Sequence, residues 1–298
     1  MVTQEFQWSR SLLTLLLRYT PLYYRDLPAR QKFQFVFSQL WYPLFAIFMG
    51  IMYALPIAAL LFDVRFANVS YPGFLGHVLP ALLTLIALAY MIRADGFFRP
   101  RDAKVLGWEK AFFAAAQWPW VLWGCAMAVR DRITGDFVEF RVTPKGRQAA
   151  DPLPWKVLLP YLVLAFGAIL PVAVIEGATE AAGFYIFACV NAAIYCALLL
   201  IIVINHMREN GISVRSAQTR AWGQMACIAA LGGVIATSAV QRGDQGMIAL
   251  ASTTGQVQLV ETRYVVSGAG QGTPGSVHSQ LKLDWRTLLT SIPFLQRD

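Results

Sequence analysis

Residues 182–206 read AGFYIFACVNAAIYCALLLIIVINH, a run without a single Asp, Glu, Lys or Arg. A helix of ~20 residues crosses the hydrocarbon core of a bilayer, so this stretch is long enough and apolar enough to span one. Working outward, the acidic loop Glu176-Gly-Ala-Thr-Glu180 joins it to a second such run at 155–176. Two more runs precede them. One lies at 38–61, opened by Trp41 and Tyr42, and one at 74–92, closed by Arg93, Arg99, Arg101 and Lys104. A Gly- and Ala-rich stretch at 222–240 is a fifth candidate. The composition agrees: 57% of the 298 residues are apolar and 14% charged, against ~45–50% and ~25% in soluble domains. The mean hydropathy is +0.50. Soluble enzymes and nucleic-acid-binding proteins are excluded as classes. The expected fold is an all-α polytopic membrane protein with four to five transmembrane helices, two interfacial helices and a small extracytoplasmic tail.

Two helices are expected to lie in the membrane surface. Over 3–19, Trp8, Leu12, Leu15 and Leu16 recur at helical spacing with Arg10 and Arg18 opposite, and Pro21 is expected to end the helix. Over 107–130, four tryptophans (Trp108, Trp118, Trp120, Trp123) surround Pro119 in a segment apolar enough to cross. Crossing would send the next stretch, with Arg130, Arg132, Arg141, Lys145 and Arg147, to the outer side against the positive-inside rule, so an interfacial helix is expected. This arrangement puts the N-terminus in the cytosol and leaves 19 basic and 10 acidic residues inside, against 6 and 7 outside. The net charge of +8 then follows from orientation and calls for no nucleic-acid partner. A bacterial inner membrane is the expected location. Residues 1–35 show no cleavable signal peptide, so insertion is expected to rely on the first spanning helix.

The organisation follows. Residues 1–35 form a cytosolic interfacial helix, 36–93 a transmembrane hairpin, and 94–154 a second interfacial helix with a polar loop. Residues 155–240 form the remaining spans and 241–298 the tail, where GQVQLVETRYVV alternates like a strand and LKLDWRTLLTSIPFL suits a short helix. Cys125, Cys189, Cys196 and Cys227 all fall in apolar runs and read as small buried hydrophobes rather than a disulfide or metal framework. In the fourth span Asn191 and Tyr195 lie one turn apart. Interhelical hydrogen bonding is the expectation, and lining a sugar-conducting pore the alternative. His77 and His206 read as interfacial.

Two polar motifs stand out. Gln4-Glu5-Phe6-Gln7-Trp8 opens the first surface helix, and Phe140-Arg141-Val142-Thr143-Pro144-Lys145-Gly146 lies in the loop before the third span. The Trp8 indole offers a flat apolar face to a sugar ring, and the amides of Gln4 and Gln7 both donate and accept toward hydroxyls. Lys145 supplies a mobile cation and Thr143 a hydroxyl that could close together over a diphosphate, excluding water. The bland readings are an aromatic-belt tryptophan between solvated amides, and a solvated basic loop. Phe140 and Val142 argue against the second, since a merely solvated loop need not alternate apolar residues around Arg141.

The order and setting of these motifs resemble the membrane half of processive family 2 glycosyltransferases, of the cellulose-synthase and chitin-synthase type, over roughly residues 1–207. In that family a Q-x-x-R-W motif sits on an interfacial helix and an F-x-V-T-x-K gating loop follows the next helical hairpin. Phe140, Val142, Thr143 and Lys145 fill all four positions of the second motif. Gln4 and Trp8 match the first, with Gln7 standing where the family has Arg. The resemblance implies a β-glycan synthase that elongates a polysaccharide from a nucleotide-sugar such as UDP-glucose and passes the glycan chain through the bilayer. It further implies acceptor binding at Gln4, Gln7 and Trp8, and gating over the nucleotide-sugar by Phe140, Val142, Thr143 and Lys145. The family's catalytic aspartates and its divalent metal, Mg or Mn, belong to a domain preceding the first motif. No D-x-D or T-E-D pattern occurs among the cytosolic acids of this sequence, so a fragment or a split subunit is expected, with a catalytic glycosyltransferase domain in cis or in trans. The alternative is a non-enzymatic membrane scaffold or transporter.

Overall fold

The computed structural model describes residues 2–66, 71–135, 153–211, 219–252, 259–266 and 276–283. The charge-free stretch forms a single helix, α7 (Phe184–Glu209), preceded by α6 (Trp155–Val174). The N-terminal surface segment is α1 (Val2–Thr14), and a short α2 (Thr20–Tyr23) follows. Then come α3 (Ala29–Phe62), α4 (Tyr71–Ala94) and α5 (Trp108–Thr134), with α8 (Thr219–Ser252) after α7. Six helices, α3 to α8, are long and apolar enough to cross a membrane. The protein is a polytopic integral membrane protein, all-α among the described residues up to Ser252.

Several boundaries differ from expectation, each for a physical reason. Pro21 does not end the first helix. Leu15–Tyr19 form a π-helical turn closed by the Thr20 N–H on the Leu15 carbonyl, and Pro21 then sits at the start of α2, where its missing N–H is least needed. The helical path continues through a 3₁₀ turn to Asp26. The stretch 241–252 belongs to α8 rather than to the tail. Its polar residues meet the α6–α7 connection, where Arg242 pairs with Glu176 at 3.0 Å and Gln245 donates to the Ala178 carbonyl at 3.1 Å. In the tail, β1 (Leu259–Val266) pairs antiparallel with β2 (Ser276–Leu283), Leu259 opposite Leu283 and Val266 opposite Ser276. Residues 281–283, expected to open a helix, thus close a strand, and 284–298 lie outside the described residues.

The contacts fix the relative direction of the helices. Asp63, at the C-terminal end of α3, accepts the N–H groups of Thr179, Glu180 and Ala181 in the α6–α7 connection at 2.9–3.1 Å. Lower down, the Tyr53 hydroxyl of α3 donates to the Leu164 carbonyl of α6 at 2.7 Å. α3 and α6 therefore run the same way. Tyr71, opening α4, stacks edge-on against Phe187 near the start of α7, so α4 and α7 begin at that same end. α8 starts beside α6, with Gln224 on the Leu153 carbonyl, and finishes beside the α6–α7 connection. Since α3 finishes at the end where α6 also finishes, an odd number of the two intervening helices, α4 and α5, traverses the bundle.

The core is built on small residues. Ala165, Ala168, Ala188 and Ala192 are fully buried and let α6 and α7 approach closely, which replaces the hydrophobic effect as the source of cohesion in lipid. Tyr161, Tyr185, Leu158, Ile169 and Leu199 fill the space between. A second cluster (Leu13, Ala46, Val121, Cys125, Ala128) joins α1, α3 and α5. Of the four free cysteines only Cys125 is buried. Cys227 is exposed on α8, so it is not the buried hydrophobe expected.

Candidate functional site

α1 carries the first motif and lies along α5. One turn of α1 fits into a notch at Gly124: a Cβ there would fall on Ser9 Oγ and sit 2.6 Å from the Phe6 carbonyl oxygen. Ser9 is fully buried, its hydroxyl donating to that same carbonyl at 3.1 Å. Next to the notch, Arg10 reaches Asp131 with both Nε and Nη2 at 2.7 Å from Oδ2. Asp131 is 4% exposed, so the pair is a charged clamp largely out of water. At the other end of the contact the Gln117 amide donates to the Glu5 carboxylate. The two helices are thus fixed at three points along their length.

On this platform Gln4 and Trp8, one turn apart, share an exposed face, Trp8 at 48%. Gln7 turns inward instead. It is 8% exposed, and its Oε1 finds no donor among the described residues. The motif is therefore split between a surface pair and a buried amide. A helix places i and i+4 on one face and i+3 beside it, and here that neighbouring position falls toward the packed side.

α5 ends at Thr134, where Gly135 takes a left-handed conformation and its N–H caps the Asp131 carbonyl at 3.0 Å. Phe140, Val142, Thr143 and Lys145 follow within the stretch 136–152, which lies outside the described residues. The same Asp131 that anchors α1 therefore closes the helix leading into the second motif.

Behind the platform is a buried aromatic cluster that the sequence did not assign. The Trp118 indole donates to the Tyr195 hydroxyl at 2.7 Å, and the Trp120 indole to the Tyr161 hydroxyl at 2.8 Å. The Tyr161 hydroxyl in turn donates to the Ala116 carbonyl at 2.7 Å. Tyr53 packs on Trp118 and, edge-on, on Tyr195, with ring centres 6.1 and 5.8 Å apart. Tyr195 makes an interhelical hydrogen bond from α7 to α5, while Asn191 is half-buried with no side-chain hydrogen bond to another described residue. A findable signal existed: Tyr53, Tyr161 and Tyr195 lie in apolar spans, where each hydroxyl must find a partner, and two inward tryptophans supply donors.

Among the described residues no three of His, Cys, Asp and Glu converge as metal ligands. Comparison with protein-family models, with curated proteins and with solved structures finds no match.

Proposed function

We propose that this chain is the membrane half of a processive β-glycan synthase, holding the acceptor end of the polysaccharide and gating a nucleotide-sugar at the membrane surface. What supports the reading is that the first motif is clamped to the helix that precedes the second in sequence. α1 carries Gln4 and Trp8, and is clamped through Arg10 and Asp131 to the last turn of α5, whose final residue, Thr134, is six positions before Phe140. In this reading Trp8 stacks on a sugar ring and Gln4 contacts its hydroxyls, while Gln7 is turned inward. Thr143 and Lys145 close on the diphosphate, and Phe140 and Val142 seat the closed loop. α4 is the helix that crosses between α3 and α6, and α5 lies along the cytosolic surface, which keeps 136–152 on the side of the nucleotide-sugar. The catalytic carboxylates and their divalent ion come from a glycosyltransferase domain in cis or in trans, and the N-terminus of this chain is cytosolic in a bacterial inner membrane.

The test is polymer synthesis by the chain assembled with that catalytic domain in membranes. Trp8→Ala and Lys145→Ala are each expected to cut polymer yield at least tenfold, with Lys145→Arg recovering part of it. A nucleotide-sugar photoprobe should label 140–147 only when the catalytic domain is present. Undiminished yield from both alanine variants, with no labelling, would leave a scaffold or transporter role.

A further inference from the structure

The connection between α4 and α5 combines exposed apolar and cationic side chains at one end of the bundle. α4 has 24 residues, so it is ~36 Å long against a hydrocarbon core of ~30 Å, and its last residue, Ala94, reaches the headgroup zone. No residue of α4 is buried by protein, which leaves lipid as its surroundings up to that point. Immediately beyond, Phe97 is 76% exposed, and Leu106 and Trp108 stand out at 57% and 62%.

The loop is shaped by its own cations. Arg93 donates to the Ala103 carbonyl at 2.8 Å, and Lys110 to the Lys104 and Val105 carbonyls at 2.9 and 3.2 Å. Arg99 caps the Gly96 and Phe98 carbonyls, and the Lys110 ammonium lies 5.4 Å from the Phe98 ring centre. Three of the five cations are therefore spent on holding the turn. The other two, Arg101 and Lys104, are exposed, and their side chains make no ion pair or hydrogen bond with a described residue. Asp95, Asp102 and Glu109 share the loop, leaving it with a surplus of two positive charges.

We propose that this loop is a docking surface for anionic phospholipid headgroups. Arg101 and Lys104 meet the phosphate, while Phe97, Leu106 and Trp108 enter the interfacial layer beside it. Basic residues next to a spanning helix attract acidic lipid, and exposed aromatic rings prefer the same depth. Lipid is favoured over a protein partner because the apolar side chains directly continue the lipid-covered surface of α4. The site would also anchor α4, which the rest of the chain barely holds.

The experiment uses the full chain reconstituted into vesicles of phosphatidylcholine containing brominated lipid, with Trp108 read as the difference between wild type and Trp108→Phe. Brominated phosphatidylglycerol is expected to quench Trp108 more strongly than brominated phosphatidylcholine at the same mole fraction. Each cation near an anionic surface is worth roughly fivefold in local lipid enrichment, so Arg101→Gln with Lys104→Gln should abolish most of the preference. Both positions are exposed, and unchanged helical circular dichroism would confirm that the variant folds. Equal quenching by the two lipids, or a preference that survives the double substitution, would overturn the proposal. So would loss of Trp108 quenching when a catalytic glycosyltransferase domain is added, because the face would then belong to a protein.

Discussion

α4 and α5 are of similar length, and judged by hydropathy alone they would be ranked the wrong way round for integration into the protein. α4 has a mean hydropathy of 2.0 in its most apolar window and contributes no buried residue, whereas α5 reaches only 1.3 and buries 39% of that window. α5 holds eight buried residues, among them a charged one, Asp131. The difference teaches that hydropathy alone does not rank helices by burial, since α6, at 2.4, buries 44% of its window, and that a polar residue enters the interior where a partner meets it. Every polar group α5 carries into the interior has a partner to bind: Trp118 to Tyr195, Trp120 to Tyr161, Gln117 to Glu5, Asp131 to Arg10. α4 has nothing comparable, and its Thr84 hydroxyl and His77 ring return to the carbonyls of their own helix, at Pro80 and Gly73.

The contrast can be broken most severely at Asp131. Asp131→Ala leaves Arg10 largely buried without its counter-charge and is expected to cost about 3 kcal/mol, the low end for a broken buried pair because Arg10 keeps some access to water. Denaturation by SDS titration should show the loss, and limited proteolysis should find the α1 segment released first. Gly124→Ala comes next, at about 1–3 kcal/mol, since the new methyl group collides with Ser9 and the Phe6 carbonyl across the α1–α5 notch. Trp118→Phe removes one interhelical donor and some volume, for about 1–2 kcal/mol by the same titration. The matched control in α4 is Gly76→Ala. Outside its own stretch of helix no atom of the described residues lies within 4 Å of the added methyl, so stability should stay within about 0.5 kcal/mol of wild type, and a larger loss would mean that α4 is held by protein after all.

The smallest effect concerns Asp63. Its carboxylate is held below the usual range chiefly by the Ala181 N–H, with further help from Thr179 and Glu180, while slight burial works the other way. A depressed folded-state pKa means that the bond network stabilises fully above the ordinary carboxylate range and is lost as pH falls through the folded value. Asp63→Asn should therefore be less stable than wild type at neutral pH and indistinguishable from it in strong acid, as read by paired SDS titrations across pH.

Much of the spanning architecture was legible because a lipid-facing helix must be apolar along its whole length. The stretches at 74–92, 155–176 and 182–206 fall within two or three residues of α4, α6 and α7. Legibility failed where a residue's neighbour is remote in sequence. Nothing in 107–130 itself announced that Trp118 would be 5% exposed, with Tyr195, 77 positions away, accepting its indole N–H. The GDQ stretch of α8 looked like the start of a polar tail, and it stays helical because Glu176 and Ala178 wait at that level. In the candidate site, Gln4 and Trp8 on one face followed from helical spacing alone. The burial of Gln7 did not, since it depends on which neighbour covers that side.

Asp63 also sets a timetable. Its carboxylate leaves the ribosome 116 residues ahead of Thr179, the first donor it will bind. At translation speeds of ~5–20 residues per second, that is a wait on the order of ten seconds. During that interval the end of α3 must rely on water to satisfy a charge that later sews three helices together. A bond that joins three helices therefore waits on a partner made 116 positions later, and a nascent chain halted before Thr179 would carry its α3 without that tether.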